Sequence, residues 1–261
     1  MKLSTFFATV AVAFADIVAD DVCVSNGQEV SCDAASTQPI VRSGRPEVDR
    51  ELNQERRYSD LKAMAEKLWK KNGLVGDDAF DERKYWAYGC HCYLLGDRPM
   101  TEMGMGRPKD ALDTKCKAYK ECQRCVRKNH GDECIGEFVA YMWKWANKKG
   151  TFVGQNEAGS CPRELFECDK KFVYDMLAEK DVFDNQYHAF WSGGEGKPHF
   201  DNRDPEQCFS HGGVPVEHQC CGGHDQPFFW MNKNKNTCCA TRDGKSGNVK
   251  ASGFSCPHGE F

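Results

Sequence analysis

The strongest constraint on this chain is the number and layout of its cysteines. There are 16 in 261 residues, an even number that includes two adjacent pairs, Cys220-Cys221 and Cys238-Cys239. The amino terminus places them in an oxidising compartment. Lys2 precedes an apolar run from Leu3 to Phe14, which ends in the A-x-A pattern Ala13-Phe14-Ala15. A run of this length is a signal peptide (residues 1–15), too short for a membrane span. No later stretch is apolar and long enough to cross a bilayer, so no transmembrane segment is expected. Cysteines in a secreted chain read as a disulfide framework and not as metal sites. The formal net charge of −4 gives no overall bias toward nucleic acid or an anionic membrane.

Four regions follow from composition. After the leader, residues 16–57 form an amino-terminal segment in which Cys23 and Cys32 bracket a short polar stretch, most simply a local Cys23–Cys32 disulfide loop. Residues 33–57 are polar and hold two prolines and several arginines, the pattern of a linker. Arg56-Arg57 there is a candidate processing site. A helix is expected from Ser59 or Asp60, either a good N-cap, to Asn72-Gly73, with Leu61, Met64, Leu68 and Trp69 on its apolar face. A second helix is expected over 110–128, carrying Lys115, Lys117, Lys120, Arg124, Arg127 and Lys128 against one Glu121 beyond its first turn. Alternating aromatics from Glu137 to Trp145, then Asn147-Lys148-Lys149-Gly150 and Thr151-Phe152-Val153, spell a hairpin. Pro162 opens a third helix that runs to about Glu179.

The stretch from Tyr88 to Cys122 adds more specific information. Tyr88-Gly89-Cys90-His91-Cys92 is followed by Gly104, Gly106, Pro108, Asp110 and Asp113, then by Cys116 and Cys122. This ordered series resembles the secreted phospholipase A2 family over residues 58–207. In that family a calcium loop of the form Y-G-C-x-C-G-x-G-G precedes a helix reading D-x-C-C-x-x-H-D-x-C. The resemblance implies a mainly α fold with a small β-hairpin, built on disulfide-linked antiparallel helices. It also implies Cys92–Cys116 and Cys122–Cys168 bridges, with Cys134–Cys161 as the expected closure of the hairpin. Cys168-Asp169 resembles the family's C-D pair, whose aspartate orients the catalytic histidine.

The family's catalytic pair is absent. Tyr119 and Lys120 stand where its histidine and aspartate are expected. A phenol with a reference pKa near 10 is a poor proton acceptor at neutral pH, and an ammonium cannot ligate a hard cation. The loop is degenerate as well: His91 stands in it, and Tyr93 and Leu95 replace glycines. No catalytic residue, metal or cofactor is therefore expected at Tyr119, Lys120 and Asp169. Calcium enters only if hydrolysis proceeds through a rearranged site, with His91, His130 or His224 as the base. The string Cys220-Cys221-Gly222-Gly223-His224-Asp225 spells the family's C-C-x-x-H-D, but its glycines and Pro227 make a helix unfavourable.

One family disulfide has lost both cysteines. If Cys122 pairs with Cys168 between antiparallel helices, two turns away Lys115 faces Asp175, and a Lys115–Asp175 ion pair is expected in its place. Residues 208–261 hold six cysteines and the strings QCCGG and TCC. They resemble galaxin-type repeats of extracellular matrices and read as a small cysteine-rich irregular or β module with little core of its own. His211, His218 and His224 could bind zinc there, though oxidised cysteines fit a secreted chain better. The expected function is a secreted, non-catalytic phospholipase A2-like binding or matrix component, with an extracellular protein or a phospholipid surface as partner. Two alternatives are a membrane-perturbing protein, similar to the lysine-substituted venom homologues of the family, and a calcium-dependent phospholipase A2.

Overall fold

The computed structural model describes residues 22–33, 42–53, 56–93, 101–194, 196–210 and 216–261. The leader at 1–15, Leu95 and His211 lie outside them. Among the described residues the chain forms helices, small antiparallel sheets and eight disulfides that use all the cysteines.

Three helices carry the core. α2 (Arg56–Lys71) presents Leu61, Met64, Leu68 and Trp69 at helical spacing, and all four are buried. α3 (Ala111–His130) begins at Asp110, whose side chain accepts the Asp113 N–H and caps the first turn. α4 (Cys161–Ala178) has Pro162 in its first turn, where the missing N–H costs nothing. α3 and α4 pack together and are joined by Cys122–Cys168. Leu165, Phe166, Phe172 and Met176 of α4 fill the space toward α2.

The β content exceeds a single hairpin. β3 (Trp143–Ala146) and β4 (Thr151–Gly154) form the expected one, with Trp145 opposite Phe152. An amino-terminal hairpin, β1 (Val22–Ser25) and β2 (Gln28–Ser31), extends it into a four-stranded sheet of order β2-β1-β3-β4 through Val24 opposite Trp143. Asp60 explains why it docks there. Expected as an N-cap, it lies inside α2 instead, because the helix begins earlier, at Arg56. Its buried carboxylate accepts Asn26 N–H at 2.9 Å, Gly27 N–H at 3.0 Å and the Trp143 indole N–H at 3.0 Å. One side chain thus joins helix, hairpin turn and sheet.

Two further departures follow from tertiary context. The expected linker contains a helix of its own, α1 (Pro46–Leu52), and Arg56-Arg57 open α2 instead of lying in extended chain. The carboxy-terminal region forms two antiparallel pairs, β5 (His218–Gly223) with β6 (Gln226–Asn232) and β7 (Asn236–Ala240) with β8 (Gly247–Ala251). β6 packs across both α3 and α4, so this region borrows the core of the helices. Cys90–Cys208 and Cys125–Cys220 fasten it, spanning 118 and 95 residues. Long loops are where a cross-link removes most unfolded-state entropy, by about 4–5 kcal/mol in the chain-entropy account.

Replacing Asp60 by alanine leaves two backbone N–H groups and the Trp143 indole without an acceptor. The expected loss is about 2–4 kcal/mol in urea unfolding; a loss under about 0.5 kcal/mol would remove Asp60 from this role.

Candidate functional site: a tyrosine–lysine pair in a phospholipase A2 frame

The loop entering the site is held by one carboxylate. Asp113, fully buried at the start of α3, accepts the N–H groups of Cys90 at 2.8 Å, His91 at 2.8 Å and Lys109 at 2.9 Å. Gly89 permits this approach. Its φ is +56°, and a Cβ there would lie 2.3 Å from Asp113 Cγ. Burial pushes the Asp113 carboxyl up to about 6, against the opposing pull of those three hydrogen bonds. Cys92–Cys116 pins the loop to α3 from the other side.

Lys120 lies on α3 beneath this loop and is 1% exposed. Its ammonium donates to the Tyr93 carbonyl at 3.0 Å. A buried ammonium needs such acceptors, since burying one without partners costs several kcal/mol. The residues present do not fit a calcium ion. A cation fixed on the loop carbonyl competes for the same oxygen and repels a divalent ion by several kcal/mol at contact distance. Among the described residues, no three His, Cys, Asp or Glu side chains converge to hold a metal.

Tyr119, one residue earlier on α3, meets α4 instead of the loop. Its hydroxyl donates to Asp169 Oδ1 at 2.8 Å, and its ring stacks on Phe172 with centroids 4.3 Å apart. Gln123 Nε2 donates to the same Oδ1 at 2.9 Å, and the Tyr141 hydroxyl donates to Oδ2 at 2.5 Å. Burial pushes the Asp169 carboxyl up to about 7, while its hydrogen bonds pull it down. Burial and the neighbouring Asp169 charge push the Tyr119 phenol well above its usual value, so it stays protonated and acts as a donor. The group in the position of the base therefore holds its proton.

Of the three histidines considered as replacement bases, His91 and His130 have partners for their rings, and His224 is held through its backbone. His91 is 1% exposed, and its Nε2–H donates to the Gly106 carbonyl at 3.2 Å. Burial pulls it down to about 4, so it stays neutral, and Gly104 packs so closely that a Cβ there would meet His91 Nδ1 at 2.6 Å. His130 Nε2 lies 2.6 Å from Glu164 Oε2, and the other Glu164 oxygen accepts the His224 backbone N–H at 2.8 Å. This buried glutamate joins the end of α3, the start of α4 and the β5–β6 turn, with His224 at φ +67° in that turn. His218 stacks on Trp230 instead of meeting His224.

The expected Lys115–Asp175 pair gives way to two others. Asp175 is taken by Lys171 at 2.5 Å, one turn away on its own helix, while Lys115 lies 3.7 Å from Glu179. The i,i+4 lysine is the nearer cation and wins. Cys23–Cys32 and Cys134–Cys161 are bonded, as is Cys122–Cys168 beside the site. Sequence reasoning did not single out Gln123, Tyr141 or the Asp113 clasp. Gln123 lies one turn from Tyr119 and carried a signal, whereas Tyr141 reaches Asp169 only through the tertiary fold.

The Asp169 carboxyl makes stability depend on pH. An unfolded aspartate titrates near 3.9, so between about pH 4 and 7 the folded state keeps a proton that the unfolded chain releases. This contribution is full below about pH 4 and is lost as pH rises to about 7, with a slope of at most about 1.4 kcal/mol per pH unit. Asp113 acts alike between about pH 4 and 6. Relative to the parent, Asp169→Asn should therefore gain stability from pH 5 to 7 in urea unfolding. A pH-independent difference contradicts the assignment.

No family-level sequence profile matches the chain. Curated relatives do. Basic phospholipase A2 homolog LmutTX of Lachesis muta muta is 33% identical over 105 residues, covering 40% of this chain and 73% of the relative. The membrane-associated phospholipase A2 of Cavia porcellus is 29% identical over 123 residues, 47% of this chain and 70% of the relative. Group IID secretory phospholipase A2 of Mus musculus is 28% identical over 118 residues, 45% and 72% of the two chains. With the loop, the helix pair and their disulfides in place, the chain belongs to the phospholipase A2 family.

Proposed function

We propose that this chain is a secreted, catalytically silent phospholipase A2-like protein that acts by binding in the extracellular space, as a matrix or surface component. The observation that carries this reading is the Lys120 ammonium on the Tyr93 carbonyl. It puts positive charge at a position where hydrolysis in this family needs a bound cation. Tyr119 adds to it, since a phenol donating to Asp169 has no lone pair directed at a water with the basicity that proton abstraction requires. Secretion is supported by the disulfide count and by relatives named as secretory. Among the described residues no helix is long and apolar enough to cross a membrane.

The membrane-perturbing alternative draws on the basic face of α3, and much of that charge is engaged. Lys120 is buried, Lys115 faces Glu179 and Arg127 pairs with Asp132 at 2.8 Å. The Arg124 guanidinium lies 4.8 Å above the Trp230 ring. Lys117 and Lys128 alone on this face are a small basis for capturing an anionic surface, at about 1 kcal/mol each.

A hydrolysis assay on phospholipid vesicles with saturating calcium tests this reading. The protein should release no fatty acid above background, and hydrolysis by the purified chain would overturn it. The double variant Tyr119→His/Lys120→Asp restores the family's base and carboxylate. Any gain of calcium-dependent hydrolysis in it places the loss at these two residues.

A further inference from the structure

A cleft opens beside Lys115 and Asp175. Between α3, α4 and the aromatic strand β6 lies a space of about 270 Å³. Ala118, Tyr119, Phe172, Phe228, Phe229 and Trp230 supply most of its walls, with the Cys122–Cys168 bridge between them. Trp230 is held between neighbours, by Arg124 above its ring and by His218 stacked at 5.2 Å, so that wall is preset. Phe229 is 41% exposed, which leaves the cleft open to solvent.

The charged side chains at its edge are unequally satisfied. Lys171 is bonded to Asp175 and Lys115 faces Glu179, so two cations and their two carboxylates cancel. Glu121 is left over. Among the described residues it has no ion pair within 4 Å and no side-chain hydrogen bond, although Lys117 and Arg124 act on it through space. Burial pushes its carboxyl up, as expected for a carboxylate turned from water without a partner. A half-buried carboxylate and several aromatic rings thus line one cleft, a pairing suited to a cation with an apolar body.

We propose that this cleft binds an organic ammonium, a compact quaternary amine whose methyl groups face Phe228 and Phe229 and whose charge faces Glu121. The space is ample for a trimethylammonium or choline group. An anion is disfavoured because both cleft lysines are already neutralised. The site owes nothing to calcium or to the degenerate loop, and it holds whether or not the chain hydrolyses lipid.

The test is calorimetric titration of the full chain with tetramethylammonium and choline, beside 3,3-dimethyl-1-butanol, the uncharged isostere of choline. Saturable binding of the two cations, at least about tenfold tighter than the alcohol, is expected. Glu121→Gln and Phe229→Ala should each weaken it about tenfold while the far-UV circular dichroism stays that of the parent. Sedimentation with phosphatidylcholine vesicles then separates the sources: co-sedimentation that Glu121→Gln abolishes marks a lipid headgroup, and its absence marks a soluble cation. Equal binding of the alcohol, binding indifferent to Glu121→Gln, or no saturable binding of either cation overturns the proposal.

Discussion

A lysine buried to 1% exposure has to find acceptors, and Lys120 finds one in the loop that its family uses for a metal. The ammonium supplies positive charge to the Tyr93 carbonyl from within the chain. Asp113 gathers three loop N–H groups on one carboxylate, while Cys92–Cys116 and Cys90–Cys208 fix the two ends of the same short segment. Charge and covalent fastening together hold the family's frame around Tyr119 and Lys120.

The Asp169 network shows the same substitution in neutral chemistry. Three donors, from Tyr119, Gln123 and Tyr141, satisfy a fully buried carboxyl, so the cost of leaving it unpaired is avoided. Tyrosine serves here because its hydroxyl reaches the carboxylate while its ring packs on Phe172. The site has become part of the core.

Sequence patterns exposed the local features and missed the contacts made across the chain. Helical spacing on α2, the Pro162 start of α4, the turn between β3 and β4, and the Tyr119-Lys120 substitution all rest on neighbouring residues and were legible. Asp60 was not, because a carboxylate near a helix start reads as a cap until the amino-terminal hairpin is seen to reach it. Cys125–Cys220 was illegible for a related reason, since cysteine order does not fix pairing across 95 residues. The Lys115–Asp175 expectation had the helix register in view but ignored Lys171, a nearer competitor on the same helix. The carboxy-terminal strands looked too poor in apolar mass to stand alone, and they lean on α3 and α4 instead.

We propose that the Lys120 ammonium on the Tyr93 carbonyl stands in place of a calcium ion. Thermal unfolding of the purified protein, with millimolar calcium and with an equal concentration of magnesium, tests it most directly, because any ion bound only by the folded state raises the midpoint by mass action. The account predicts superimposable curves in the two salts. A saturable, calcium-specific rise in the midpoint would contradict it.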